Sequence, residues 1–274
     1  MPEFSAGDSP SLRLLAVSVG NTTTRFGLFT GRELSRSRRV PNTSAEAVAS
    51  QIAALGKEAG SGRDALAACV VASVNDRIAR PLIEALEPAI PCAVYRIGAD
   101  LPVPIRTALA SDAAPGQDRL LNALAAFDTL NSACVVVDTG TAITVDFVDG
   151  EGVFQGGAIA PGASMMLRAL HQQTAALPEV ALARPDEASP FGKDTTQAMR
   201  NGVFFAARGL IRALVERYAE AYGAYPPVIA TGGDAALLLD GDELIDRIIP
   251  DLTLFGIEAA CRRGLALQET EEHA

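Results

Sequence analysis

The chain has 274 residues, of which 49% are hydrophobic and only 5% aromatic, and it contains no tryptophan. This length exceeds the usual size of one domain, so we expect two domains or one large α/β unit with an aliphatic core. The formal charge is −10, from 23 basic and 33 acidic residues, and this excess of negative charge repels a nucleic-acid backbone. We therefore expect no nucleic-acid partner.

Four cysteines, Cys69, Cys92, Cys134 and Cys261, are scattered along the chain without the spacing of metal ligands. Three of them lie in or beside apolar segments, so we interpret all four as reduced core residues of a cytoplasmic protein. The first eleven residues are polar, and no segment has the roughly 18 consecutive apolar residues that a membrane span needs. We expect a soluble protein with a frayed start and no membrane partner.

The first part of the chain predicts alternating strands and helices. The segment "LLAVSVGNTTTRFGLF", residues 14–29, is typical of a buried strand, a tight glycine turn and a second strand. Apolar periodicity predicts the next elements as helix, strand, helix and strand, near residues 44–60, 65–74, 78–86 and 92–98. A proline-rich stretch follows, and we expect the boundary between domains 12–113 and 114–274 there.

The second part begins with Pro115-Gly116 and a helix whose apolar residues, spaced i, i+4 and i+7, put Asp118 in its first turn. A second strand–turn–strand segment, "CVVVDTGTAITVDFVD", covers residues 134–149. A long helix is predicted over residues 195–222 and ends at Gly223. Because its apolar residues cover more than one face, we expect this helix to pack against more than its own domain.

The two strand–turn–strand segments match when Gly20 is aligned with Gly140, an offset of 120 residues. The apolar run, the glycine and the second strand then coincide, and Ser18 faces Asp138. A short turn after a buried strand exposes backbone N–H groups, and glycine lets a phosphate approach without a Cβ in the way. Ordinary hairpins also contain such turns, but the repeat, with a third glycine turn at Gly232-Gly233, favours duplicated domains that close on a nucleotide.

Eight segments occur in order between residue 14 and about residue 260: "VSVGNTTTRFGLF", "APGQDRLLNALAAF", "VVVDTGTAITVDFV", "FQGGAIAPG", "ALHQQTAALP", "GKDTTQAMRNG", "VIATGGDA" and "LTLFGIEAA". Together they resemble the successive motifs of the type III pantothenate kinases, in the acetate kinase, sugar kinase, Hsp70 and actin superfamily. The resemblance implies an α/β homodimer in which each chain has two ribonuclease-H-like (actin-like ATPase) domains related by internal duplication. It also implies ATP-dependent phosphorylation of pantothenate to 4′-phosphopantothenate, the first step of coenzyme A biosynthesis, with Mg²⁺ and a monovalent cation, K⁺ or NH₄⁺.

The resemblance implies a role for each matching residue. The phosphate-binding residues would be Gly20, Asn21, Thr22, Gly140 and Thr141, and Gly232 with Gly233 would border the nucleoside. The pantothenate-binding residues would be Gly116, Asp118, Arg119, His171 and Thr195, the last of them in the site of the partner subunit. Asp118 would be the general base, and Asp138 would lie on the side of the phosphates and the monovalent cation.

Two of these residues also have a purely structural explanation. An acidic side chain in the first turn of a helix often serves only the helix dipole, so Asp118 has a structural explanation as well as a catalytic one. Beside Arg119 we expect Asp118 to keep a low pKa. A lone histidine on a helix, such as His171, is often an exposed residue without a ligand.

Two positions depart from the family pattern. Ser18 stands where the family has an aspartate that helps to hold magnesium, and no tyrosine precedes the Gly-x-Asp-Arg motif at residues 116–119. The sequence therefore leaves open a pantothenate kinase with an altered metal site, or a catalytically silent relative that binds nucleotide or a partner protein and regulates. Another kinase of the same superfamily is a third alternative. For a pantothenate kinase with an altered metal site, we expect slow turnover and a high magnesium requirement.

Overall fold

The computed structural model describes residues 13–60, 65–186 and 190–272, so the predicted frayed start lies outside the described residues. The chain divides into two compact units. The first contains the described residues up to Arg106, Ser111–Thr129 and those from Asp251 onward, and the second contains Thr107–Ala110 and Leu130–Pro250. This division differs from the single boundary expected after residue 113, because two helices from later in the chain pack on the sheet of the first unit.

The first unit is built on a five-stranded sheet with the order β3-β2-β1-β4-β5. Its strands are β1 (Arg13–Val19), β2 (Thr23–Thr30), β3 (Glu33–Pro41), β4 (Ala68–Ser73) and β5 (Val94–Arg96). Its helices are α1 (Ala45–Lys57), α2 (Asp76–Leu86), α3 (Gln117–Leu130) and α7 (Leu252–Glu272). Strands β1, β4 and β5 are parallel, and β2 is antiparallel to both of its neighbours.

Strand β1 is buried on both faces, which explains its continuous apolar run. Leu15 and Val17 belong to the core that includes residues of α1 and α2. Leu14 and Ala16 belong to a second core, which includes Leu121 of α3 together with residues of α7. The sheet of the first unit therefore has a helical layer on each side.

The second unit has a six-stranded sheet with the order β11-β10-β7-β8-β9-β6. Its strands are β6 (Arg106–Thr107), β7 (Cys134–Thr139), β8 (Ala142–Val148), β9 (Val153–Pro161), β10 (Val228–Thr231) and β11 (Arg247–Ile248), and its helices are α4 (Ala163–Gln172), α5 (Thr195–Tyr222) and α6 (Ala235–Leu239). Five of these strands, in the order β9-β8-β7-β10-β11, have the same neighbours and the same relative directions as β3-β2-β1-β4-β5 of the first unit. The predicted duplication of ribonuclease-H-like units is confirmed.

The two glycine hairpins differ by one residue. Ser18 pairs with Arg25 in the first hairpin, whereas Asp138 pairs with Thr144 in the second, so strands β2 and β8 match at an offset of 119. In the first turn, Gly20 N–H donates to the carbonyl of Thr23, three residues later, at 3.0 Å. In the second turn, Gly140 N–H donates to the carbonyl of Ala142, only two residues later, at 2.9 Å. The prediction that the second strands coincide at an offset of 120 was therefore wrong, because the first turn is longer.

The main helices and strands lie where apolar periodicity predicts them. Helix α5 has the predicted bounds: Asp194 caps its start by accepting from Gln197 N–H at 2.8 Å, and Gly223 ends it with a φ of 82°. Strand β3 was missed, because this edge strand is rich in arginine and most of its side chains are exposed, so that it has no apolar periodicity. Within the described residues, no helix is long and apolar enough to cross a membrane.

The four cysteines are free, and all but Cys92 are buried. Burial raises the pKa of Cys134 and of Cys261 to about 12 and that of Cys92 to about 11. Burial also raises the pKa of Cys69 far above its ordinary value. All four thiols are reduced; Cys69, Cys134 and Cys261 are core groups, as the sequence predicted, and Cys92 is partly buried against the core of the first unit.

Candidate active site

The predicted site residues of the first unit lie at the carboxyl ends of its parallel strands. Ser18 and the turn that starts at Gly20 end strand β1. The start of α3 lies at the same edge of the sheet, because a Cβ added to Gly116 would be 4.0 Å from Val74, the residue that follows β4. The structure therefore brings the first glycine turn and the Gly-x-Asp-Arg motif to one edge of the sheet.

Asp118 is held in a fixed position within the first turn of α3. Its Oδ1 accepts a hydrogen bond from Arg119 N–H at 2.9 Å, and a Cβ added to Gly116 would be only 2.6 Å from that oxygen. Burial raises the pKa of Asp118, and this effect outweighs the backbone hydrogen bond and the positive charge of Arg119. The expected low pKa was wrong, because the proximity of Arg119 does not compensate for lost hydration.

Two asparagines that the sequence analysis missed support the first turn. Asn42, which follows β3, donates from Nδ2 to the Gly20 carbonyl at 2.9 Å. Asn75, which caps the start of α2, donates from Nδ2 to Oδ1 of Asn21 at 3.1 Å. A sequence signal existed for Asn75, since asparagine is a preferred helix cap, but not for Asn42, which lies 22 residues from its partner.

The second unit brings together the second turn, the glycine pair and Asp138. Asp234 N–H donates to the Thr139 carbonyl at 2.9 Å. A Cβ added to Gly232, which has a φ of 102°, would be 2.2 Å from the same carbonyl and 2.5 Å from Oδ1 of Asp138. Glycine at position 232 is therefore required by close backbone packing.

At Gly140, unlike Gly232, packing does not require glycine. Its φ is outside the left-handed region, and a Cβ there would meet only Oδ1 of Asp138, at an ordinary 3.9 Å. The neighbouring Gly162 packs directly against the turn, because its Cβ would be 2.1 Å from the Gly140 carbonyl. Nothing around Gly140 in the described structure requires glycine.

The two pantothenate candidates of the second unit are exposed and lie on other elements. His171 is near the end of α4, a helix that starts beside the second turn and is about 15 Å long. Its Nδ1 lies 2.8 Å from the Leu177 carbonyl, and Nδ1 must carry the proton because a carbonyl only accepts. Thr195 is the first residue of α5. The hydrogen bonds of the described residues do not link either side chain to the glycine turns.

The residues around Ser18 do not fit a magnesium ion held by the protein. Ser18 faces Arg25 across the hairpin, and directly opposed residues of antiparallel strands share one face of the sheet. Arg25 makes an ion pair of 2.9 Å with Asp251. Among the described residues, no group of three or more His, Cys, Asp or Glu side chains could hold a metal ion.

The fold itself is shared with solved structures. The activator of 2-hydroxyisocaproyl-CoA dehydratase from Clostridium difficile, solved with bound ADPNP, superposes with a TM-score of 0.54 at 12% identity, covering 96% of this chain and 98% of its own. A putative Baf family transcriptional activator from Campylobacter jejuni superposes with a TM-score of 0.59 at 18% identity, covering 92% and 99%. The two units thus define a protein of the actin-like ATPase and sugar kinase fold.

The sequence comparisons are more specific. The family model for type III pantothenate kinase matches residues 14–217. A type III pantothenate kinase from Rhodospirillum rubrum is 38% identical over 257 residues, which cover 92% of this chain and 98% of the relative. The chain belongs to the type III pantothenate kinase family.

Proposed function

We propose that the protein transfers the γ-phosphate of ATP to the primary hydroxyl of pantothenate, giving 4′-phosphopantothenate for coenzyme A biosynthesis. The observation that carries this proposal is the family match, which spans residues 14–217 and includes both glycine turns and Asp118. No observation favours the catalytically silent alternative. The free cysteines fit a reducing compartment such as the cytoplasm.

Phosphoryl transfer depends mainly on positioning and on compensation of charge. We propose that Asp118 accepts the proton of the pantothenate hydroxyl, because burial raises its pKa and a general base works best with a pKa near the operating pH. Arg119, which follows it, would bind pantothenate. Asn21 and Thr22 in the first turn, and Thr141 in the second, carry the amide and hydroxyl groups for the phosphates.

Metal ions have separate roles in this proposal. Magnesium bound to ATP would compensate phosphate charge, since magnesium needs few protein ligands when phosphates and water supply the rest. Asp138, a carboxylate beside the second turn, is our candidate for a monovalent cation site, with K⁺ or NH₄⁺ as the ion. The glycine pair 232–233 would border the nucleoside.

We also propose a homodimer formed through the exposed face of α5. This face contains small residues and one phenylalanine: Ala198, Gly202, Phe205, Ala206, Gly209 and Ala213. Phe205 is 59% exposed, and a Cβ at either glycine would have no neighbour within 4 Å. Each glycine costs about 1 kcal/mol of helix stability relative to alanine, and close approach of a second copy of the helix would account for glycine at these two positions. Thr195 at the start of α5 would then reach the partner's site.

The test is a coupled assay with ATP and pantothenate, with the product identified by mass spectrometry. Formation of 4′-phosphopantothenate, dependent on both substrates, is the expected result. If the protein binds ATP but forms no product at saturating pantothenate and magnesium, the kinase proposal is wrong and the regulatory alternative applies.

A further inference from the structure

The two glycine turns are supported in different ways. The second turn is held by backbone groups, since Gly162 N–H donates to the Thr141 carbonyl at 3.1 Å and Asp234 N–H donates to the Thr139 carbonyl at 2.9 Å. The first turn is also closed by a backbone hydrogen bond, from Gly20 N–H to the Thr23 carbonyl at 3.0 Å, but its Gly20 carbonyl is held by the side chain of Asn42. Its geometry can therefore be changed by replacing one side chain.

Asn42 makes three hydrogen bonds to alternate residues of the first hairpin. Its Nδ2 donates to the Gly20 carbonyl at 2.9 Å, and its backbone N–H donates to the Thr22 carbonyl at 3.0 Å. Its Oδ1 accepts from the hydroxyl of Thr24 at 2.7 Å. The orientation of the amide is fixed by chemistry, because the Gly20 carbonyl can only accept and must face the NH₂ group.

The hydrogen bond to Thr24 holds the Asn42 side chain in one orientation. Thr24 is completely buried, with 0% of its surface exposed, and a buried hydroxyl without a partner is strongly unfavourable. The side chain of Asn42 is thus held between Thr24 and Gly20. Rotation of this side chain would break both hydrogen bonds and leave the buried Thr24 hydroxyl without this partner.

Fixing the Gly20 carbonyl also fixes the N–H of Asn21. The two groups belong to one planar trans peptide unit, in which the carbonyl oxygen and the amide hydrogen point in opposite directions. Because the Gly20 oxygen faces Asn42, the Asn21 N–H points away from Asn42. Successive N–H groups aimed outward from a turn are what an anion binds.

We propose that Asn42 is a positioning residue for the phosphates of ATP, acting by holding the peptide between Gly20 and Asn21 in its phosphate-binding orientation. This inference rests on the proposed function in one respect, namely that the first turn binds phosphate. Asn42 itself does not contact the nucleotide. Its effect is on ATP affinity and not on pantothenate binding.

The experiment compares Asn42→Ala and Thr24→Val with a matched control, Ser44→Ala. Ser44 is two residues from Asn42 and caps α1 by accepting from Ala47 N–H at 3.2 Å, so its replacement destabilises the same region without removing a bond to the turn. Binding of AMP-PNP is measured by calorimetry, the melting temperature is measured without ligand, and KM is measured for each substrate.

For Asn42→Ala we expect the Kd for AMP-PNP and the KM for ATP to rise about tenfold, while the KM for pantothenate changes less than twofold. Thr24→Val should act in the same direction and decides the question if Asn42→Ala does not fold. Ser44→Ala should lower the melting temperature and leave the Kd unchanged. Unchanged nucleotide affinity in both variants, or an equal loss in Ser44→Ala, would overturn the proposal.

The outcomes also separate this inference from the proposed function. If the wild-type protein binds AMP-PNP in an Asn42-dependent manner but does not phosphorylate pantothenate, the kinase proposal fails and the role of Asn42 stands. If it phosphorylates pantothenate and Asn42→Ala binds AMP-PNP normally, the kinase proposal stands and the role of Asn42 is refuted.

Discussion

At the scale of single residues, Asp118 is the side chain whose chemistry is most directly testable. Asp118→Asn keeps the shape of the side chain and removes the base, so turnover should fall by roughly 10² to 10⁴, with the KM for ATP nearly unchanged. Steady-state kinetics of both substrates measure this effect. Unchanged turnover would return Asp118 to the role of a carboxylate that serves only the helix dipole.

The same substitution has a consequence for stability that depends on pH. The folded-state pKa of Asp118 is raised by burial, so the folded chain binds this proton more tightly than the unfolded chain, and the stability that Asp118 contributes at low pH is lost as pH rises through the folded-state pKa. Asp118→Asn should therefore melt at a higher temperature relative to wild type near neutral pH than at low pH. A difference that does not vary with pH would contradict this assignment.

Ser18 is one of the two positions at which the sequence departs from the pattern expected for the family, and the structure shows what an aspartate there would face. An aspartate at position 18 would face Arg25, which lies directly opposite on β2, and this cation would compete with a magnesium ion for the new carboxylate. We expect Ser18→Asp alone to change the magnesium requirement less than twofold.

The double variant Ser18→Asp/Arg25→Met should lower the magnesium concentration at half-maximal rate, because the new carboxylate then has no cation opposite it. Arg25→Met alone is the control for loss of the 2.9 Å ion pair with Asp251. A magnesium titration at fixed ATP and pantothenate distinguishes the variants. If Ser18→Asp alone already lowers the requirement strongly, Arg25 does not neutralise position 18.

At the scale of elements, α5 tests the proposed dimer. Gly209→Gln adds a side chain to the centre of the exposed small-residue face and removes a helix-destabilising glycine, so the protomer should be at least as stable while dimerisation weakens. Gly264→Gln in α7 is the control, because a Cβ at Gly264 also has no neighbour within 4 Å. Sedimentation or light scattering at micromolar concentration measures the association. A wild-type monomer would remove Thr195 from the candidate site.

The elements show which parts of the fold could be predicted from sequence. The bounds of α5 were predictable because local signals set both ends, and Gly223 with its φ of 82° is the clearest of them. Strand β3 was not predictable from apolar periodicity, since Val40 is its only buried residue. The hairpin offset was missed because a one-residue difference in turn length leaves the apolar runs intact.

At the scale of the whole molecule, the glycine turns and the Gly-x-Asp-Arg motif could be predicted from the sequence because each is a continuous segment. Asn42 could not, since its role depends on a hydrogen bond to Gly20 across the sheet. The raised pKa of Asp118 depends on its burial in the folded chain, which the sequence alone does not give. The assignment of α3 and α7 to the first unit likewise depends on long-range packing.

The return of the chain to the first unit leads to a prediction about truncation. Leu254 and Ile257 of α7 are fully buried in the same core as Leu14 and Leu121, and a Cβ added to Gly256 would be 2.3 Å from the Leu121 carbonyl. A chain that ends at Pro250 lacks this helix and leaves one face of the first sheet uncovered.

Each buried leucine or isoleucine side chain contributes about 1.5–3 kcal/mol, so losing α7 removes a large part of the stability of a typical domain. We expect the chain that ends at Pro250 to bind the dye ANS and to lose the cooperative melting of the first unit. A chain that ends at Gly264 keeps the α7 residues of this core and should melt like the full chain. Because residues 12–113 lack both α3 and α7, that segment alone should not fold either. Cooperative melting of residues 12–113 in isolation would instead support the single boundary after residue 113.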